Sequence, residues 1–346
     1  MDMKRKLILN ESLTSAWPEY NFLNSMIQNK KTAYDWIMNT HIQIYGSKYK
    51  NDQYGINETR ISFYPQGTLR ANIYDLCPFV RRYIIPRKDI VEKYSDFSTF
   101  IIEHINEGYY IQARIYESFR RDMQVEHPCY FFGYDTDNQV INIVDNLDNG
   151  KYFQKEVSFQ EINDGFFKVK DNGWATAVIL YKTEEYNFKN NIDFICDQIK
   201  DYFEPSSMCY LNRYFCPSEK YVNDEDSGEV ALGMNAYNFL LELIRECYEE
   251  GISYVDIRSF AFLVDHKKLM KLRNEYLIKK GNLVRNVKLD LLLDELVKRC
   301  KLLLNILIKY NIKSDKNNLL CVEGKLHEML EIDRKVMEYT LNGLKR

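Results

Sequence analysis

Two residues in the middle of the chain could form a base and its orienter. The stretch "HPCYFFGYDTDNQVINIVD", residues 127 to 145, reads as two alternating strands joined by the turn residues "DTDN". Folding the strands about Thr136 sets His127 opposite Asp145. Directly opposed residues of an antiparallel pair have Cβ atoms about 4.5–5.5 Å apart. A carboxylate at that distance accepts the imidazole N–H, fixes the tautomer and leaves the other ring nitrogen as a base. Taken singly, a His before Pro at a strand start is a surface or capping residue, and an Asp ending a strand is a turn residue. The pair gains weight from a third place, "LTSAWPEY", residues 13 to 20. Pro18 suits a first helical turn, where its missing N–H costs nothing. Tyr20, Phe22, Leu23, Met26 and Ile27 follow at helical spacing. A helix start offers free N–H groups and partial positive charge, which lower a thiol's pKa and stabilise an oxyanion. The residue there is Ala16, which has no nucleophilic atom.

The elements that must position these residues follow from periodicity. The helix from Pro18 to about Lys30 is followed by a second, "TAYDWIMNTHIQIYG", ending at Gly46, and then by a loop rich in Lys, Asn and Asp. "SDFSTFIIEHINEG" predicts a helix capped by Ser95 or Asp96 and stopped at Gly108. The period then changes to two, and "YYIQARIYE", "PCYFFGYD", "QVINIVD", "KYFQKEVSF" and "ATAVILYKT" read as successive strands, with a short helix at "SFQEINDGF". From about Asn187 onward only helices are expected, five of them with apolar stripes, interrupted by the polar loop "CPSEKYVNDEDSGEVALG" and its solvated run Asp224-Glu225-Asp226.

Composition narrows the function classes. The chain has 346 residues, 45% hydrophobic, enough for two domains with proper cores. A net charge of −3 argues against a general nucleic-acid binder, which needs a basic excess. The 27 tyrosines read as compositional bias. Eight cysteines are scattered singly with no CxxC pair, so neither a metal site nor a disulfide framework is expected, and reduced thiols in a cytoplasmic protein are. The short apolar run "LILN" makes no signal peptide, and no 18-residue apolar stretch predicts a membrane span. Cys129 reads as core, although it shares strand parity with His127, and Cys77, before Pro78, reads as packing.

The order of these features resembles a known family. "SAW" at a helix start is similar to the Ser-Cys-Trp of papain-like enzymes, and "HPCYFFGYD…INIVD" looks like the histidine and aspartate strands of that fold. Two groups share this pattern: the bacteriocin-processing leader peptidases, and the acyltransferases typified by the butirosin biosynthesis enzyme. Chain length and a helical second half favour the acyltransferases. The resemblance implies an α+β chain: a papain-like catalytic domain over 1–186 and an all-helical domain over 187–346. It implies Ala16 at the nucleophile position, His127 as base, Asp145 as its orienter, and Asn10, six residues before Ala16, as the oxyanion amide. It makes Ser15, Trp17 and His266 substrate-binding, the last within "DIRSFAFLVDHKKLMKLR", which also holds Asp265, Lys267 and Arg273. Read without the resemblance, that motif is a helix cap and a solvated face.

The implied activity is amide formation in natural-product biosynthesis, of nonribosomal or thioamide type. An acyl group would pass from a carrier protein's thioester to a small amine or diamine. The phosphopantetheine arm belongs to the carrier partner; no cofactor or metal of the chain's own is implied. Alternatives are a cysteine peptidase with the same triad, or a binding protein without catalysis. The alanine leaves three explanations open: an inactivated variant of a Cys enzyme, a natural homologue that kept the fold for binding, or a shifted register with Ser12 or Ser15 as nucleophile.

Overall fold

The computed structural model describes residues 3–51, 56–64, 72–120, 125–170, 176–205 and 230–345. Its strands are β1 (Lys4–Lys6), β2 (Ile44–Asn51), β3 (Ile56–Phe63), β4 (Val80–Pro86), β5 (Tyr110–Tyr116), β6 (Glu126–Asp135), β7 (Val140–Leu147), β8 (Lys151–Ser158), β9 (Ala177–Thr183) and β10 (Val230–Leu232). Its helices are α1 (Pro18–Ile27), α2 (Ala33–Thr40), α3 (Ile73–Leu76), α4 (Arg87–Lys93), α5 (Phe97–Asn106), α6 (Phe159–Lys168), α7 (Ile192–Phe203), α8 (Ala236–Glu250), α9 (Arg258–Lys279), α10 (Val287–Lys313) and α11 (Asn317–Gly343). The chain divides into two compact units, one of residues 1–33 and 73–187, the other of 34–72 and 188–346. The segment 34–72, expected in the first domain, therefore belongs to the second unit.

The first unit is built on an antiparallel sheet of order β4-β9-β5-β6-β7-β8. β5 pairs with residues 126–131 of β6 and β1 with residues 133–135. Strand alternation gives the sheet two dressed faces. On one, Ile111, Ala113, Ile115, Phe131, Ile141, Ile143 and Leu147 join Phe97 and Phe166 in the main core. Phe97, on α5, and Phe166, on α6, stack there with ring centroids 3.7 Å apart. α5 starts where expected, with Asp96 accepting the Ser98 N–H at 2.8 Å, and α6 carries a full capping box between Ser158 and Glu161.

The other face takes α1, whose Phe22 ring lies 4.3 Å from that of Tyr130. α1 is buried on all sides from Tyr20 to Ile27, so its polar residues need internal partners. Ser25 Oγ donates to the Asn21 carbonyl at 2.8 Å, and Asn24 donates to Thr14 Oγ1 at 3.2 Å.

The second unit is helical with one small sheet, β10-β2-β3. The expected helix through Gly46 ends at Thr40; Ile42 and Ile44 alternate into β2, which pairs with β3 along its whole length. The C-terminal half is helical but not all-helical, because β10 pairs with β2. The polar loop lies outside the described residues up to position 229, with its acidic run, Cys209 and Cys216. No described helix is long and apolar enough to cross a membrane.

Of the DHKK motif on α9, only Lys268 is partly exposed. Asp265, His266, Lys267 and Arg273 are all buried. Lys267 Nζ lies 2.6 Å from Asp333 Oδ2 and donates to Tyr202 at 2.5 Å, and Tyr237 donates to the same carboxylate at 3.0 Å. Arg273 donates to the Met38 and His41 carbonyls at 2.8 and 2.6 Å, at the C-terminal end of α2, where the helix dipole favours a cation. His266 bonds the Ile42 carbonyl through Nε2 at 2.8 Å and is fully buried, so its expected role in binding a substrate is replaced by a structural one.

Candidate functional site

The His127–Asp145 pair depends on one extra residue in β6. At the turn end of the hairpin, Asp135 pairs with Val140, Tyr134 with Ile141 and Gly133 with Asn142. Continued unbroken, that register would set Asp145 opposite Tyr130, on the face that α1 covers. A bulge between Phe131 and Gly133 intervenes, and beyond it Phe131 pairs with Ile143 and Tyr130 with Val144. Extending the corrected register sets Asp145 opposite Cys129, on the same face as His127. A one-residue slip moves side chains to the other face, and the bulge supplies that slip. Gly133 follows the bulge because a Cβ there would meet the Arg5 carbonyl of β1 at 2.7 Å.

His127 and Asp145 are thus diagonal neighbours rather than directly opposed. The imidazole Nδ1 lies 2.8 Å from Asp145 Oδ2, and Asp145 Oδ1 accepts the Asn146 N–H at 2.7 Å. Asp145 is fully buried, whereas the His127 side chain is 34% exposed. The carboxylate is therefore fixed in protein while the imidazole reaches solvent. Among the described residues, Nε2 has no hydrogen-bond partner.

A third ionisable side chain, which the sequence did not suggest, completes the cluster. Glu117, just past β5, is fully buried with Oε1 4.0 Å from His127 Nδ1. Its Oε2 accepts from Arg120 Nη1 at 3.0 Å. Burial and the Asp145 charge raise its carboxyl to about 7, against the lowering by His127 and Arg120. A signal was present: in "IQARIYE" the inward positions Ile111, Ala113 and Ile115 continue to Glu117, a charge at the end of an apolar parity. Burial pulls the His127 pKa down, but the Asp145 bond and charge, with the Glu117 charge, outweigh it and raise it above the usual value.

The start of α1 is held at the same edge of the sheet. Trp17 is its extended N-cap and Pro18 its first residue. Asn146 donates through Nδ2 to the Ser15 carbonyl at 2.9 Å and the Ala16 carbonyl at 3.3 Å, and accepts from Asn21 Nδ2 at 2.9 Å. Adjacent residues at the end of β7 thus serve opposite faces: Asp145 holds the imidazole and Asn146 holds the backbone at position 16. Ala16 and Trp17 are buried and Ser15 is exposed.

Asn10 is not brought to this point. Its backbone and side-chain N–H groups both donate to the Ser25 carbonyl, at 2.9 and 3.2 Å. Ser25 stands eight residues beyond Trp17, about 12 Å along the helix at 1.5 Å per residue. Asn10 therefore secures the far end of α1, and the expected oxyanion role does not fit its place. Ser12 Oγ is engaged by the Thr14 N–H at 3.1 Å, in a local turn. Cys129 is fully buried, and burial with the Glu117 and Asp145 charges pushes its thiol well above the usual value, so it is no nucleophile.

Models of known protein families match no part of the chain, and a search of curated proteins finds no similar one.

Proposed function

We propose that the chain is an acyl-transfer protein of papain-like type, moving an acyl group from a carrier-protein thioester to an amine, with His127 as general base. The observation that carries this reading is the 2.8 Å contact between His127 Nδ1 and a fully buried Asp145. It orients the ring with its other nitrogen outward, and a base held this way is the working half of a nucleophilic triad.

With Ala16 the reaction lacks a covalent intermediate. The amine nitrogen attacks the thioester carbonyl directly, and Nε2 takes the proton that the nitrogen sheds. The C–N bond forms, the C–S bond breaks, and the proton passes to the departing thiolate. Asp145 stabilises the imidazolium between these events. With cysteine at position 16, the thiolate would attack first and the amine would resolve the acyl-enzyme. A large helical unit, which a simple peptidase does not need, favours transfer over hydrolysis.

The test supplies an acyl thioester on a carrier protein, or on N-acetylcysteamine, with a diamine, and measures amide by mass spectrometry. Wild type, Ala16→Cys and both with His127→Ala are compared. Amide formation that falls about 10²–10⁴-fold without His127 supports the reading. Release to water unaffected by the amine, with peptide cleavage, makes the protein a peptidase. Failure of every variant to turn over any thioester or peptide leaves a binding protein.

A further inference from the structure

Glu117, His127 and Asp145 come from the ends of three neighbouring strands and converge on one point. One donor atom from each lies within 4.8 Å of the others. The convergence is more than an acidic cluster, because Glu117 Oε1 is buried without a hydrogen-bond partner and faces His127 Nδ1 from 4.0 Å. A buried carboxylate oxygen with no donor is unfavourable unless something fills that role. The other oxygen is held by Arg120, which fixes the carboxylate as an outer-sphere partner fixes a metal ligand. Asp145 is fixed likewise by the Asn146 N–H.

We propose that Glu117 Oε1, His127 Nδ1 and Asp145 Oδ2 form a binding site for a divalent transition-metal ion. One imidazole nitrogen with two carboxylate oxygens suits Zn²⁺, Mn²⁺ or Co²⁺; Mg²⁺ and Ca²⁺ prefer oxygen alone. Metal–ligand bonds of about 2.0–2.2 Å need only a small inward movement of the Glu117 carboxylate. The third-exposed imidazole gives the ion a way in. Binding at Nδ1 expels its proton: in the neutral ring that proton passes through solvent to Nε2, and in the imidazolium it is lost to solvent while Nε2 keeps its own. The ion therefore removes the base invoked for acyl transfer, and the site is an inhibitory one where that reading holds. The binding claim itself does not rest on it.

The test dialyses the full chain against EDTA and titrates it with ZnCl₂ by calorimetry. Wild type is compared with Glu117→Gln, Asp145→Asn and His127→Gln, each checked for folding by circular dichroism. One Zn²⁺ per chain is expected, with affinity at least about tenfold lower in every folded variant. His127→Gln, at a partly exposed side chain, keeps the test decisive where a buried substitution unfolds the protein. Co²⁺ loading should give a visible spectrum without an intense thiolate-to-metal band. Undiminished Zn²⁺ binding in the folded variants, no binding by wild type, or a thiolate band assigning the ion to cysteines would each overturn the proposal. Zinc titration reads binding alone, so a failed acyl-transfer assay leaves its outcome unaffected.

Discussion

Acid should loosen the second unit by an amount that two buried histidines set. Burial, then the Arg273 charge, lower His41 to about 3. Burial and the Lys267 and Arg273 charges, against the Ile42 hydrogen bond, hold His266 well below its usual value. In the unfolded chain both titrate near 6.5. Their folded pKa values are depressed, so the unfolded state takes up protons that the native state refuses. The stability they contribute is full above about pH 6.5 and is lost as pH falls toward the folded values. With its folded value near 3, His41 loses RT ln(1 + 10^(6.5 − pH)), about 2 kcal/mol at pH 5, and His266 loses stability in the same direction. That is a large share of a typical stability of about 5–15 kcal/mol. The assay is urea unfolding followed by far-UV circular dichroism at pH 7.5 and pH 5, on wild type, His41→Gln and His266→Gln. Each substitution carries a packing cost of its own, which the difference between the two pH values cancels. His41→Gln should lose about 2 kcal/mol less than wild type between them, and His266→Gln should also lose less than wild type. Variants that lose as much as wild type would refute the argument.

Other consequences follow from the packing. Lys267→Met leaves Asp333 in a dry core with tyrosine hydroxyls and no cation; it should cost about 3–5 kcal/mol in chemical unfolding, and a second change, Asp333→Leu, should recover most of it. Gly165→Ala puts a Cβ 2.5 Å from the Tyr116 carbonyl, where α6 crosses the end of β5. A cost of about 1–3 kcal/mol is expected, read as a lowered Tm, whereas Gly324→Ala, with open space around it, should be neutral or mildly stabilising. Ser158→Ala breaks the capping box of α6 and should cost about 1 kcal/mol in the same measurement.

Local chemistry carried much of the first unit in the sequence. Strand alternation located β5 to β9, and the cap choice of Ser95 or Asp96 located the start of α5. The His127–Asp145 contact was legible for a less direct reason. Folding about Thr136 misplaces the register by two residues at His127, but an even error keeps side chains on their face. The bulge that makes the error even leaves no mark in "YFFGY" beyond the glycine. What was not legible was long-range. Arg273 answers carbonyls more than 230 positions away, and Lys267 answers Asp333, 66 positions away. A polar triplet on a helix reads as surface until such partners are known. β2 was hidden because "HIQIYG" continues an apolar helix without a breaker before Gly46. Glu117 was missed because a glutamate ending a strand is ordinary; its weight comes from burial beside two other titratable groups.

The supports of position 16 described above act on backbone, so chemistry and scaffold are separable there. Asn146 holds the carbonyls of Ser15 and Ala16, and Pro18 sets the helix start; neither needs a particular side chain at residue 16. Ala16→Cys adds one sulfur at a helix start and should leave the fold intact. The buried thiols make a quiet background. Burial pushes Cys77 up to about 12, against the Phe79 and Val80 N–H groups, and Cys247 up to about 11 with help from Glu246 and Glu250. It likewise raises Cys300 to about 12, although the Lys267 charge lowers it. Thiols held protonated react slowly, whereas a helix start favours the thiolate, as does an imidazole that reaches the sulfur. Brief iodoacetamide treatment of Ala16→Cys, followed by peptide mass mapping, should label residue 16 ahead of exposed Cys321. Adding His127→Ala should slow that labelling if the imidazole serves the thiol. Labelling of residue 16 no faster than Cys321, with or without His127, would mean that the two sites share a sheet edge without sharing chemistry.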